Sequence, residues 1–212
     1  SFTKVGYLRR GRNCYGIEQV EAFREQVAQD LVPIVGQIRQ NQARRIGIAS
    51  LTFYDDLFVF PDGNAHPTGT PDEIMAAGKR MYEEMGAETG RFIHFMMEHG
   101  LFDCVATKGK AAGGYCTYLP DLKAPFIFSN FNGTSGDVDV LTHEAGHAFA
   151  AFEAEKATDI LELRDPTMES CEVHSMSMEF LAEPWYPLFF GPMAGKYTLS
   201  HLEDALKFIP YG

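Results

Sequence analysis

The sequence predicts an α+β fold, mainly α, with a small antiparallel β-sheet. Apolar residues recur at three- and four-residue intervals over most of the chain, the period of a helix with one buried face. Strong helix start and stop signals bound several of these stretches. Strand-like aromatic and β-branched runs are confined to one short region, around residues 108–132.

From Ile17 to about Arg45, the residues Ile17, Val20, Phe23, Val27, Leu31, Ile34 and Ile38 step by three or four. They form one face of a long helix, with a bend predicted at Pro33. Pro61-Asp62-Gly63 then supplies turn chemistry. Thr70 is suited to cap a helix, Pro71 to its first position, and Glu73 to complete a capping box. Ile74, Gly78, Met81 and Met85 line the core face of that helix. A second helix carries Phe92, Phe95, Met96 and His99 and ends at Gly100. Its methionines read as core, and His94 and His99 as ordinary surface or core histidines.

The pattern changes near Lys108. "KAAGGYCTYLP" and "APFIFSNFNG", joined at Pro120-Asp121-Leu122-Lys123, read as an antiparallel hairpin. Gly113 and Gly114 either admit another backbone or mark a bulge. A Gly-Thr-Ser-Gly turn at 133–136 leads into a helix from Asp137 to about Glu155, capped by Ser135 or a neighbour. A further helix is predicted with Asp165 as its cap and Pro166 at its first position, running to about Ala182.

With 212 residues, 45% apolar and 22% charged, the chain has an ordinary globular composition and is long enough for one substantial core or two small ones. A formal charge of −11 repels phosphate backbones, so no nucleic-acid partner is expected. No apolar run reaches membrane-spanning length, and the N-terminus has no secretory h-region. Cys14, Cys104, Cys116 and Cys171 are widely spaced and read as free thiols in a reducing compartment, which points to a cytoplasmic location.

The chemistry concentrates at "THEAGHAF". His143 and His147 are four apart on one helix face, where two neutral imidazoles can converge on one Zn²⁺ ion. Glu144, next to the first, points beside the ion, where a general base belongs. Gly146, costly inside a helix by about 1 kcal/mol, suggests close packing there. A catalytic zinc needs a third protein ligand, and the downstream helix offers Glu169, Glu172, Glu179 and His174. Spacing puts Glu172 and Glu179 on one face but does not choose between Glu169 and Glu172.

"GGYCTYLPDLKAPFIFSNFNGTSGDVDVLTHEAGHAFAAFE" and "ESCEVHSMSMEF" resemble the catalytic core of the oligoendopeptidase F group of the thimet oligopeptidase-like zinc metallopeptidases. "RRGRNCYGIEQVEAFREQV" and "FVFPDGNAHP" resemble upstream parts of the same proteins. The resemblance implies a zincin-like helical core that binds Zn²⁺ through His143, His147 and Glu172, with Glu144 as general base and short peptides as substrates. It also implies an edge strand bordering the cleft, placed near Phe126–Asn130, with Phe128, Ser129 and Asn130 touching substrate. Such proteins continue beyond the glutamate helix into a segment that holds the substrate carbonyl oxygen. Residues 1–212 therefore read as a single catalytic-core domain, a central fragment of a longer oligopeptidase that is slow on its own. Self-association is expected through apolar surface around Phe189, Phe190, Phe208 and Ile209. The rival readings are another zinc hydrolase, such as an aminopeptidase, and a non-catalytic helical binding module.

Overall fold

The structure, a computed structural model, describes residues 2–211. It comprises two compact units, one of residues 1–64 with 198–212 and one of residues 65–197.

The first unit contains α1 (Phe2–Arg9), which the periodicity does not mark, then α2 (Ile17–Gln26) and α3 (Val32–Ile46). The single helix expected from Ile17 to about Arg45 stays helical throughout, but a π-helical turn at Val27–Leu31 divides it. Pro33 has no N–H for the carbonyl one turn earlier, and its ring crowds that carbonyl; a wider turn relieves the conflict. Gly47, at φ 79°, closes α3 in the left-handed conformation. Gln42 is fully buried on α3. Its Nε2 donates to the carbonyls of Asp55, Asp56 and Phe58 at 3.2, 3.0 and 3.1 Å, pinning the following loop. Arg45 grips Glu203 with two hydrogen bonds, at 3.2 and 2.5 Å, and lies over the Phe60 ring.

The second unit opens with α4 (Pro71–Met85) and α5 (Ala87–Glu98). The predicted capping box is present: Glu73 N–H donates to Thr70 Oγ1 at 3.3 Å, and Thr70 N–H to Glu73 Oε2 at 2.7 Å. Gly100, at φ 62°, follows α5. Met81, Phe92, Ile93 and Met96 are fully buried, so the methionine faces are core. Gly78 makes room for the Leu141 side chain, which a Cβ there would strike.

The sheet has three strands, β1 (Phe102–Val105), β2 (Tyr115–Leu119) and β3 (Ala124–Phe131). β2 and β3 form the expected antiparallel hairpin through a tight turn at Pro120–Leu122. β1 pairs parallel with the other side of β3, so the sheet is mixed and its order is β1-β3-β2. This corrects the placement of the edge strand near Phe126–Asn130. β3 is central, and the edges of the described sheet are β1 and β2.

α6 (Gly136–Ala157) packs on β3, β2 and α7 (Cys171–Leu181). α8 (Tyr186–Phe190) and the start of α9 (Ala194–Tyr211) complete the unit. Phe189 and Phe190 are fully buried here, contrary to their expected exposure, because α8 enters the core and Phe190 stacks on Tyr197 at 4.0 Å. Phe208 and Ile209, in the first unit, are exposed as expected. All four cysteines are free thiols. Among the described residues no helix is long and apolar enough to cross a membrane.

Candidate metal centre

The turn before α6 is built by side chains that collect its amides. Asp137, 3% exposed, accepts the N–H groups of Asn132 and Gly133, each at 2.8 Å, and Asn132 Oδ1 accepts that of Thr134 at 3.0 Å. Ser135 occupies the cap position but makes no capping hydrogen bond. The first-turn amides of Asp137 and Val138 go instead to the carbonyls of Thr134 and Ser135, at 3.1 and 2.9 Å.

About two and three turns further on, His143 and His147 stand side by side, ring centroids 5.0 Å apart and nearly perpendicular. Glu172, in the first turn of α7, brings Oε2 to 3.1 Å from His143 Nε2 and 3.4 Å from His147 Nε2. Two ligands bonded at about 2.0–2.1 Å to one tetrahedral zinc stand ~3.3 Å apart, so this donor set fits zinc. Among the described residues this is the only such group of histidine, cysteine and carboxylate donors. It contains Glu172 and excludes Glu169 and His174.

α7 begins at Cys171, not at Pro166 as predicted. Thr167 intervenes: its carbonyl accepts the N–H groups of Ser170 at 2.9 Å and Cys171 at 3.0 Å, making a tight turn from which the helix starts. Glu172 thus falls at the head of α7, facing α6. The two helices touch at Gly146, where a Cβ would lie 2.6 Å from Ser175 Cα and 2.8 Å from His174 O. Only glycine permits this approach, and the approach sets how near Glu172 comes to the imidazoles.

Neighbouring groups orient the donors. Glu179 Oε1 lies 2.5 Å from His143 Nδ1. An ionised carboxylate can only accept, so Nδ1 carries the proton and the Nε2 lone pair is left for a metal. The Glu179 hydrogen bond raises the His143 pKa above the usual histidine range; burial opposes this, and the charges of Glu179, Glu144 and Glu172 reinforce it. Ser175, fully buried, donates to Glu172 Oε2 at 2.6 Å. Burial works to raise the Glu172 pKa, but the Ser175 bond and the two imidazoles prevail and hold it below the ordinary carboxylate range. Glu144 is half-buried on the β2 side. Its charge adds to the burial that pushes the Cys116 thiol up to about 12.

The structure does not bring Phe128, Ser129 and Asn130 to the cavity beside these donors. Phe128 stacks on Tyr115 at 5.1 Å, Ser129 is buried, and Asn130 donates to the carbonyls of Ala111 and Gly113. Ser129 and Asn130 line a separate cavity of about 510 Å³ near the start of α6. The cavity that adjoins His147 and Glu172 is bordered by Cys116, Thr117 and Tyr118 of β2. The β2 residues are thus additions to the residues expected at the site, and Glu179, offered by the sequence as a candidate third ligand, instead bonds His143 Nδ1. Glu179 was detectable, since it shares a helix face with Glu172.

Comparison with known proteins identifies a family and a fold. Residues 87–201, more than half of the chain, match the model of peptidase family M3. A crystal structure described as an oligoendopeptidase F from Bacillus anthracis str. Ames is 54% identical over 99% of the chain, with a TM-score of 0.95. PZ peptidase A, solved with an inhibitor, is 55% identical over 99% of the chain, also with a TM-score of 0.95. The chain spans only 38% and 37% of the lengths of these two proteins. A structure described as a peptidase from Chlamydophila abortus shares the fold alone, at 19% identity over 76% of the chain and 28% of that protein, with a TM-score of 0.55. No curated protein matches the chain.

Proposed function

Since the chain belongs to peptidase family M3, we propose that it is the zinc-binding catalytic core of a cytoplasmic metalloendopeptidase that hydrolyses short peptides. The observation that carries this reading is the convergence of His143 Nε2, His147 Nε2 and a Glu172 carboxylate oxygen, with Glu144 adjacent on the same helix. Zinc held by these three residues supplies a Lewis acid for water and for the scissile carbonyl.

The chain's own residues do the rest. Glu144 accepts the proton of the attacking water and delivers it to the leaving amine. Glu179 fixes the His143 tautomer through Nδ1. Ser175 holds the carboxylate of Glu172 in place. The outer edge of β2 is unpaired among the described strands, so its backbone N–H and C=O groups are free to take an extended peptide as a further strand. Cys116–Tyr118 of that strand border the same cavity as His147 and Glu172, which supports a course for such a peptide beside the proposed ligands.

The test is metal content together with one substitution. Protein purified without chelators and with zinc available should carry about one zinc per chain. Glu144→Gln, made in a protein that cleaves a quenched peptide, should keep the zinc and lose the cleavage. Zinc-free wild-type protein, or full cleavage by the variant, would overturn the proposal.

A further inference from the structure

The cavity beside His147 and Glu172 has a volume of about 950 Å³. That is at the upper end of ordinary ligand sites, about 300–1,000 Å³, and exceeds what an attacking water requires. Its origin lies in the helix pair. α6 and α7 touch at Gly146, and beyond that contact Ala150, Ala151 and Ala154 leave the space open. Met178 and the exposed side chains of Leu163, Val173 and Leu181 supply apolar walls and rim.

The outer wall is held in place. Arg164 Nε donates to the Thr158 carbonyl at 2.8 Å, and the Arg164 guanidinium and the Tyr118 hydroxyl both donate to Glu155 Oε2. This cluster ties the Leu163–Pro166 segment to α6 and β2, so the cavity is preformed. It also occupies Arg164, the only lysine or arginine among the lining residues. The carboxylates lining the cavity are those of Glu153, Asp165 and Glu172.

We infer that this cavity receives a bulky apolar side chain of the bound peptide, next to the bond being cut, and that it rejects acidic side chains. The inference rests on the peptidase reading, because the cavity is assigned to substrate by the walls it shares with His147, Glu172 and the free edge of β2. Leu163, Leu181 and the three alanines are its specificity-determining residues. Apolar walls favour leucine and phenylalanine by desolvation, and they disfavour aspartate and glutamate, whose charge would leave water for an apolar wall while Arg164 is already bound to Glu155.

The test uses binding and does not depend on turnover. The 212-residue chain carrying Glu144→Gln, supplied with zinc, is titrated into dye-labelled, end-blocked hexapeptides and followed by fluorescence anisotropy. The peptides vary one position at a time through alanine, leucine, phenylalanine and aspartate. At one position leucine or phenylalanine should bind at least about tenfold more tightly than alanine, and aspartate more weakly than alanine. Adding Ala154→Phe, which fills the cavity, should erase most of that preference. Since Ala154→Phe perturbs a helix interface, Leu163→Ser and Leu181→Ser on the exposed rim are tested as well, and each should lower the preference. Equal affinity for all side chains, an apolar preference unchanged in all three variants, or failure to bind any peptide would overturn the inference. The peptidase reading is judged separately, by zinc content and by cleavage with Glu144 intact. A chain that discriminates among side chains yet holds no zinc keeps the pocket and loses the enzyme.

Discussion

Replacing Gly146 with alanine sets two opposing forces against each other. In an isolated helix the change is favourable by about 0.5–1 kcal/mol, because glycine gives up more backbone freedom on folding. In this protein the new Cβ would stand 2.6 Å from Ser175 Cα and 2.8 Å from His174 O, both of them backbone atoms that no rotamer change can move. Reaching an ordinary contact of 3.4 Å requires α7 to retreat by about 0.8 Å at Ser175. Overpacking of this kind costs about 1–3 kcal/mol, so the net expectation is a loss of ~1 kcal/mol. The larger effect falls on the metal. Glu172 rides on α7, and the same retreat would take its 3.4 Å separation from His147 to about 4.2 Å, the most that two ligands at about 2.1 Å from one ion can span. Zinc affinity should fall about 10- to 100-fold, the range seen when supporting residues of a metal site are lost. Chemical denaturation of the metal-free protein gives the stability, and competition with a chromophoric chelator gives the affinity. A variant that is more stable than wild type and binds zinc equally well would refute the reasoning.

Other substitutions probe single interactions. Glu179→Gln should weaken zinc binding about 10- to 100-fold, by chelator competition, because the charged acceptor of His143 Nδ1 is exchanged for a neutral amide that holds the tautomer less firmly. Glu172→Gln should weaken zinc binding strongly and Glu169→Gln much less; the reverse order would reassign the third ligand. Glu203→Ala should destabilise the fold by about 3 kcal/mol in urea titration, since it leaves Arg45 largely buried without its carboxylate. The backbone N–H and the hydroxyl of Thr70 hold the Glu73 pKa below the ordinary carboxylate range. A pKa depressed in the folded state means the contribution is full above the unfolded value and is lost as pH falls through the folded one. The stability advantage of wild type over Glu73→Gln should therefore be complete at neutral pH and shrink below about pH 4, as followed by thermal unfolding across that range.

What could be read from the sequence was what neighbouring residues decide among themselves. Thr70, Pro71 and Glu73 make their capping box within one turn, and the hairpin closes over Pro120–Leu122, so both were legible. His143 and His147 share a face by helix geometry alone. What remained hidden depends on distant partners. β1 is four residues long and exists because β3 lies beside it, so its arrival, and with it the loss of β3 as the edge strand, could not be read locally. Asp165-Pro166 has the look of a helix start, but the Thr167 carbonyl takes the amides of Ser170 and Cys171 and moves the start five residues on. Spacing left Glu169 and Glu172 equal; the packing of α7 against Gly146 separates them.

The buried amide of Gln42 makes the loop after α3 depend on a single nitrogen. One nitrogen serves three carbonyls of the loop after α3, while its partner oxygen takes Lys207 Nζ at 3.5 Å. Hydrolysis of that amide would leave the side chain the same shape and exchange its only donor for an acceptor. Three carbonyl oxygens would then face a carboxylate with no hydrogen between them. Phe53, Tyr54 and Leu57, the exposed side chains of that loop, offer little apolar burial to hold it in place. Ageing at this one atom would release the segment while the rest of α3 stayed intact, and the damage would register as a mass gain of about one dalton before any loss of helix.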